Sequence, residues 1–196
     1  MDGFESAPRQ RPKLAYPLGD VTPDIATTLT IAPGIEWVRM PLPFALKFIN
    51  LWLIDDGDSW TIVDTGLPLP ETKSARPVST MVQLSPTPAW RQLLDARVTP
   101  EKPLKRVIIT HMHPDHVGSA GWLCHKYGAE LWMSRLEYIT CRMLVADTGR
   151  QAPKQALEFY RRAGWSEKAL DNYKARLRGF GRVFSLMPDG YFRLSD

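Results

Sequence analysis

Residues 106–116, RVIITHMHPDH, constrain this chain more than any other stretch. Arg106 to Thr110 reads as a short buried strand, and it empties directly into His111. The chain has 4 histidines, His111, His113, His116 and His125, and three of them fall in this segment together with Asp115. At the end of a strand the backbone turns, so side chains two apart can enter one cavity instead of opposite faces. Imidazole suits borderline metals such as zinc, and a carboxylate adds an anionic oxygen. Four such donors at this spacing can serve two neighbouring ions. Pro114 stiffens the loop and lowers the entropy lost on ordering them. A lone histidine is more often a surface or satisfied core residue. Three with an aspartate, after an apolar strand and before a helix, read as a metal-site motif.

The rest of the chain supplies a frame for that loop. Residues 1–29 read as a flexible lead-in, with Pro8, Pro12, Pro17 and Pro23 and no sustained periodicity. Ile31 to Met40 reads as a first strand, interrupted early by Pro33-Gly34. Phe48 to Ile54 is almost continuously apolar, Asp55 to Asp58 is turn chemistry, and Trp60 to Val63 returns, which predicts a hairpin. A strand apolar on both faces points to a layered sheet. Leu67 to Pro86 is proline-bearing and reads as a loop or insertion. Thr87-Pro88 then offers an N-cap for a helix from Ala89 to about Val98, with Trp90, Leu93 and Leu94 at helical spacing.

After the histidines, Val117 to Tyr127 reads as a helix ended by Gly128, and Glu130 to Met133 as a short strand. Ser134-Arg135-Leu136-Glu137 has the form of a capping box opening a helix to about Ala146. Further helices are expected from Pro153 to Ala163 and from an N-cap at Ser166 to about Leu177. Tyr191 to Leu194 looks like the start of another strand. Trp52, Trp60, Trp90, Trp122, Trp132 and Tyr138 are expected in the core ahead of any substrate pocket. The basic run Lys168 to Arg182 is expected to be a solvated helix face.

Composition limits the function classes. With 196 residues, 44% hydrophobic and 23% charged, the chain has the profile of a soluble globular domain. Its net charge of +4 carries no run of five basic residues, so nucleic acid is not an expected partner. The 2 cysteines, Cys124 and Cys141, exclude a disulfide scaffold and read as incidental thiols of a reducing compartment. The apolar stretch Leu42 to Ile54 is broken by Lys47 and Asn50 and is too short to span a bilayer. The first twenty residues are polar and lack a hydrophobic core segment, so neither a signal peptide nor a membrane anchor is expected. A cytoplasmic protein without membrane partners is the expectation.

The motif His111-Met112-His113-Pro114-Asp115-His116 resembles the signature of the metallo-β-lactamase fold superfamily. Ile62-Val63-Asp64-Thr65-Gly66 is similar to the element found upstream of it in the same families, and Gly118 to Gly121 fits the start of the following helix. The resemblance implies an α/β fold of the αββα sandwich family. It places the metallo-β-lactamase-like N-terminal half at residues 30–134, a helical insertion at 135–183 and the start of the second half at 184–196. It implies that His111 and His113 bind a first metal, and Asp115 and His116 a second. Zinc is the default, and iron or manganese suits the same motif. Asp115 would orient a metal-held water and accept its proton. Asp64 would stand behind the loop, bonding the ligands without touching metal; its plainer reading is a strand-end aspartate capping a turn. The implied activity is hydrolysis of an ester, lactone or thioester of a small molecule.

The family completes its site with later histidines and an aspartate, and no histidine follows His125 here. His125 lies beside Lys126 on an expected helix and reads as a surface residue. Two histidines from one loop leave a zinc short of protein ligands. The chain therefore reads as the N-terminal half of such an enzyme, with apolar strand faces at Phe48 to Ile54 and Val107 to Ile109 left open to aggregation or homodimerisation. Two alternatives stay open: a catalytically incomplete fragment acting as a binding or assembly module, and a nuclease of the same superfamily, which pI 9.1 favours weakly.

Overall fold

The computed structural model describes residues 15–43, 45–68, 88–183 and 187–194. Seven strands form one sheet in chain order: β1 (Thr28–Ala32), β2 (Ile35–Pro41), β3 (Phe48–Asp55), β4 (Trp60–Val63), β5 (Leu104–Ile108), β6 (Glu130–Met133) and β7 (Phe192–Arg193). Strands β1 to β4 pair antiparallel, and β4 to β7 pair parallel. The switch follows from the connections. Tight turns suffice for antiparallel neighbours, whereas a parallel neighbour needs a crossover. Crossover helices duly appear after β4: α1 (Pro88–Asp95), the short α2 (Pro114–Val117), α3 (Ala120–Tyr127), α4 (Arg135–Ala146), α5 (Lys154–Arg162) and α6 (Glu167–Gly179).

Two segments differ from the sequence reading. The strand expected over Ile31 to Met40 is a hairpin, with β1 and β2 meeting at Ala32↔Ile35. Gly34 takes φ +73°, which the turn requires and a side chain resists. The helix expected over Val117 to Tyr127 is two helices, α2 and α3, separated at Gly118-Ser119. A Cβ on Gly118 would collide with the Pro114 carbonyl oxygen and approach Pro68 Cδ to 2.6 Å. The glycine thus lets the helix of the histidine loop pack onto the segment that leaves β4. Gly128 ends α3 as expected, at φ +67° with its N–H donating to the Cys124 carbonyl. The loop expected over Leu67 to Pro86 is described only at Leu67 and Pro68, and Leu67 is buried; residues 69–87, with the Thr87 cap, lie outside the described residues.

Alternation decides which sheet face is the core. Val38, Met40, Ile49, Leu51, Leu53, Ile62, Val107, Ile109, Leu131 and Met133 are all buried on one face. They form a single cluster with Trp90, Leu93 and Leu94 of α1 and Val117, Ala120 and Leu123 of α2 and α3. Each such side chain contributes about 1.5–3 kcal/mol when fully buried. The expectation that the runs Phe48 to Ile54 and Val107 to Ile109 lie open is therefore corrected: period 2 buries every other residue. The opposite face carries Trp37, Phe48, Trp52, Ile54, Val63, Ile108 and Trp132, half-buried, and Phe192, exposed. These residues tile one another. Trp37 Nε1 donates to Asn50 Oδ1 at 2.9 Å, Arg39 lies 4.2 Å above the Phe48 ring, and Trp132 stacks on Phe192 at 5.2 Å.

Helices α4 to α6 occupy the stretch expected to be a helical insertion. Ser134 and Ser166 cap α4 and α6, accepting from the Glu137 and Ala169 amides as the sequence predicts. Tyr160 stacks on Trp165 at 4.2 Å and ties α5 to the start of α6. Tyr138 of α4 is buried, stacks on Tyr191 at 4.0 Å and donates to the Pro188 carbonyl at 2.8 Å, which docks the helix beside β7. Of the aromatic residues expected in the core, Trp60, Trp90 and Tyr138 are buried, while Trp52, Trp122 and Trp132 are half-buried.

Candidate functional site

The parallel pair β4–β5 brings two distant segments together at its C-terminal end. Strand β4 stops at Val63, and Asp64 turns into the left-handed region at φ +58°. Asp is among the few side chains that tolerate this region. The turn directs its carboxylate across to the residues leaving β5. Oδ1 accepts the Thr110 amide at 2.9 Å, Oδ2 accepts the Thr110 hydroxyl at 2.8 Å, and Oδ2 also meets His116 Nδ1 at 2.8 Å. Asp64 is only 6% exposed, so these three partners replace the water that an ionised carboxylate loses on burial.

Thr65 adds a second clasp. Its amide and hydroxyl both donate to the His116 carbonyl at 2.7 Å, and the hydroxyl accepts from the Ser119 amide at 3.1 Å. Its own carbonyl accepts Trp90 Nε1 at 2.7 Å, which anchors the turn to α1. Gly66 follows at φ +72°, with its carbonyl accepting the Ser119 amide at 3.1 Å. Each residue of Asp64-Thr65-Gly66 therefore has a distinct task, and Asp64 bonds the loop at Thr110 and His116.

The histidines cluster in front of this clasp. The His111 and His116 ring centroids lie 3.9 Å apart, and those of His111 and His113 4.8 Å apart. Asp115 Oδ2 stands 3.7 Å from His116 Nε2. Thr110 Oγ1 lies 3.0 Å from His111 Nδ1. His113 is exposed; His111, Asp115 and His116 are partly so. His125 is exposed on α3, outside this cluster, as its sequence context indicates.

Charge within the cluster is uneven. Burial by itself raises the Asp64 carboxyl, but hydrogen bonds from His116 and Thr110 outweigh it and hold the group below the usual carboxylate range. Burial likewise lowers His116, yet its bond to Asp64 and the Asp64 and Asp115 charges prevail and raise it. His111 is lowered, by burial first and then by the neighbouring His116 and His113, against the opposing charges of Asp64 and Glu137.

The donor set suits a divalent ion by its chemistry. A ligating histidine normally has its second ring nitrogen bonded to a carboxylate or other fixed group, which orients the ring and leaves one lone pair outward. Asp64 does this at His116 Nδ1, and Thr110 Oγ1 at His111 Nδ1. Among the described residues, however, no three His, Cys, Asp or Glu side chains are grouped so as to hold an ion. The loop presents oriented donors without a closed cage.

One participant was hidden in the sequence by a local explanation. Glu137 reads as the fourth residue of a capping box, which would turn its carboxylate back to Ser134. Ser134 does cap the Glu137 amide, at 3.3 Å, but Glu137 Oε2 accepts the Met112 amide at 2.7 Å instead. The tertiary contact wins because β6 and β5 pair side by side, which starts α4 against the loop leaving β5.

The class is defined by a mixed α/β sheet whose parallel strand ends carry a buried aspartate clasped to a loop of three histidines and an aspartate. A family model described as the metallo-beta-lactamase superfamily matches residues 45–185, and the chain belongs to that superfamily. Among solved structures it is similar to a beta-lactamase domain protein from Burkholderia ambifaria, with 31% identity and a TM-score of 0.63 over 92% of this chain and 46% of that one. It is also similar to a metallo-beta-lactamase family protein from Thermus thermophilus, with 20% identity and a TM-score of 0.56 over 85% and 48%, a likeness of fold. The chain spans about half the length of each. A search of curated proteins gave no match. No described helix is long and apolar enough to cross a membrane.

Proposed function

We propose that this chain carries the metal loop of a hydrolase acting on an ester, lactone or thioester of a small molecule. In this reading His111 and His113 hold one ion and Asp115 and His116 a second, with zinc the natural occupant and iron or manganese suited to the same donors. When bound, such an ion supplies Lewis acidity and makes the water it polarises more acidic. The single observation that carries the reading is the Asp64 carboxylate on His116 Nδ1, at 2.8 Å and buried. A carboxylate can only accept, so the Nδ1 proton stays in that bond and Nε2 faces outward. Asp115, beside that nitrogen and partly exposed, takes the role of orienting the attacking water and accepting its proton at Oδ2. The two free, buried thiols, Cys124 and Cys141, suit a reducing compartment such as the cytoplasm.

A second reading is favoured by two observations: the lack of a three-donor group among the described residues, and the half-buried aromatic sheet face. In it the chain is a binding or assembly module that associates with a second copy through that face.

Metal content by mass spectrometry, on the purified chain beside the His111→Ala/His113→Ala double variant, separates the two. Near-stoichiometric metal that disappears in the variant supports the hydrolase loop, to be followed by assays on ester, lactone and thioester substrates. Trace metal in both preparations refutes it.

A further inference from the structure

We infer that Glu137 is a positioning residue: from the first turn of α4 it holds the peptide between His111 and His113, and so sets the spacing at which the two rings meet one ion. The role toward metal rests on the hydrolase reading above; the hold on the loop backbone does not.

The argument begins with backbone accounting. The last strand bond on this side runs from the Ile109 amide to the Trp132 carbonyl at 2.9 Å, so the Met112 amide lies beyond the strand pairing. Glu137 Oε2 accepts it at 2.7 Å, across 25 positions of sequence. Bonds from an amide to an ionised carboxylate are shorter and about twice as strong as neutral ones. Met112 is the single residue between the two histidines, so fixing its amide fixes the turn that separates them.

The acceptor is itself held from two sides. Ser134 Oγ accepts the Glu137 amide, which pins the first turn of α4. Ser134 directly follows β6, and β6 pairs with β5 at Ile108↔Trp132. The loop's origin and the carboxylate's origin are therefore adjacent parts of one sheet. The α4 N-terminus also favours a negative charge at this position. A plain capping role does not account for the bond to the loop, because a capping carboxylate would turn back to Ser134 and not reach Met112.

The test uses the full chain and three variants. Glu137→Ala removes the acceptor. Glu137→Asp keeps a charge in the first turn of the helix but is one methylene short of Met112, so it separates reach from helix stability. Glu137→Gln keeps both the length and a carbonyl acceptor. Two readouts apply: hydrogen exchange at the Met112 amide in metal-free protein, and Co²⁺ affinity by titration. Removing a residue that orients ligands typically weakens metal binding about 10–100-fold. We expect that loss in Glu137→Asp and Glu137→Ala, together with faster exchange at Met112, and substantial recovery of both in Glu137→Gln. Wild-type exchange and wild-type Co²⁺ affinity in Glu137→Asp would overturn the inference while leaving the metal loop intact. Failure of the wild-type chain itself to take up Co²⁺ would instead overturn the hydrolase reading and Glu137's role toward metal; unchanged Met112 exchange would then overturn the hold on the loop as well.

Discussion

Replacing Asp64 by Asn tests the logic of the site because it changes one atom and keeps the shape. Asn tolerates the left-handed backbone as well as Asp does, so φ +58° adds no new strain. The amide oxygen can still accept the Thr110 N–H, and the Thr110 hydroxyl can rotate to accept from the new NH₂ group. The bond to His116 cannot survive unchanged. A carboxylate requires the proton on Nδ1, whereas an NH₂ group facing Nδ1 requires a lone pair there. A neutral His116 must therefore move its proton to Nε2, the nitrogen assigned to metal.

The stability cost follows from the same inventory. Bonds to charged groups contribute about 1.5–3 kcal/mol against about 1 for neutral ones, so a net loss of about 2 kcal/mol is expected. For a chain of this size that corresponds to about 4–8 °C in Tm. The assay is thermal denaturation of the metal-free chain, with ¹⁵N NMR of the imidazole nitrogens to read the tautomer and Co²⁺ titration to read ligation. We expect a folded variant, modestly destabilised, with the His116 proton on Nε2 and ligation by His116 lost. An unchanged tautomer and wild-type Co²⁺ uptake in Asp64→Asn would refute the argument that Asp64 sets the ligand.

Three further outcomes are expected elsewhere. Gly118→Ala forces a Cβ against Pro114 and Pro68, and overpacking of this kind costs about 1–3 kcal/mol; urea unfolding checks it, and a midpoint equal to wild type would count against the close approach. Cys124 and Cys141 are buried, which pushes their thiols up to about 12 and about 11, so neither should react with a disulfide reagent at about pH 8 until the chain unfolds. Rapid labelling of the folded chain would contradict that burial. Trp52 lies mid-face, paired in register with Trp37 and Val63; if the open face takes a second copy, sedimentation should show a dimer for the wild type and a monomer for Trp52→Lys. A wild-type chain that stays monomeric at all concentrations removes that association.

What was legible in the sequence divides along contact distance. The Gly128 stop and the Ser134 and Ser166 caps depend on neighbours within four residues, and the structure has them where the sequence predicts; the strand before His111 is present too, but at Leu104–Ile108, two residues earlier than the expected Arg106 to Thr110. The split between α2 and α3 was not legible, because Gly118 looks like any helix glycine until Pro68 is seen against it. The division of each strand into a buried and a half-exposed row was missed for a different reason: Phe48 to Ile54 is apolar at almost every position, so composition hides the alternation that the backbone imposes. Glu137 is the instructive case. A local motif accounted for it completely, and only the neighbouring placement of β5 and β6 offered its carboxylate a different amide.

The same distance argument explains why Asp64-Thr65-Gly66 and the histidine loop must occur as a pair. Close-set histidines oppose one another's charge: His116 and His113 both act against a cation at His111. A buried carboxylate in that spot carries its own desolvation cost, which is offset only by donors held at the right place. The two liabilities cancel if they face each other: Asp64 takes Thr110 and His116 as donors, and His116 gains an anion and a fixed tautomer. Neither segment could achieve this alone, since 52 positions separate Asp64 from His116. The parallel pairing of β4 with β5 closes that distance by ending both strands at one edge, Val63 beside Ile108. The histidine loop is thus shaped by sheet topology, and the residues that shape it are those whose loss should alter the geometry of the histidines more than the fold.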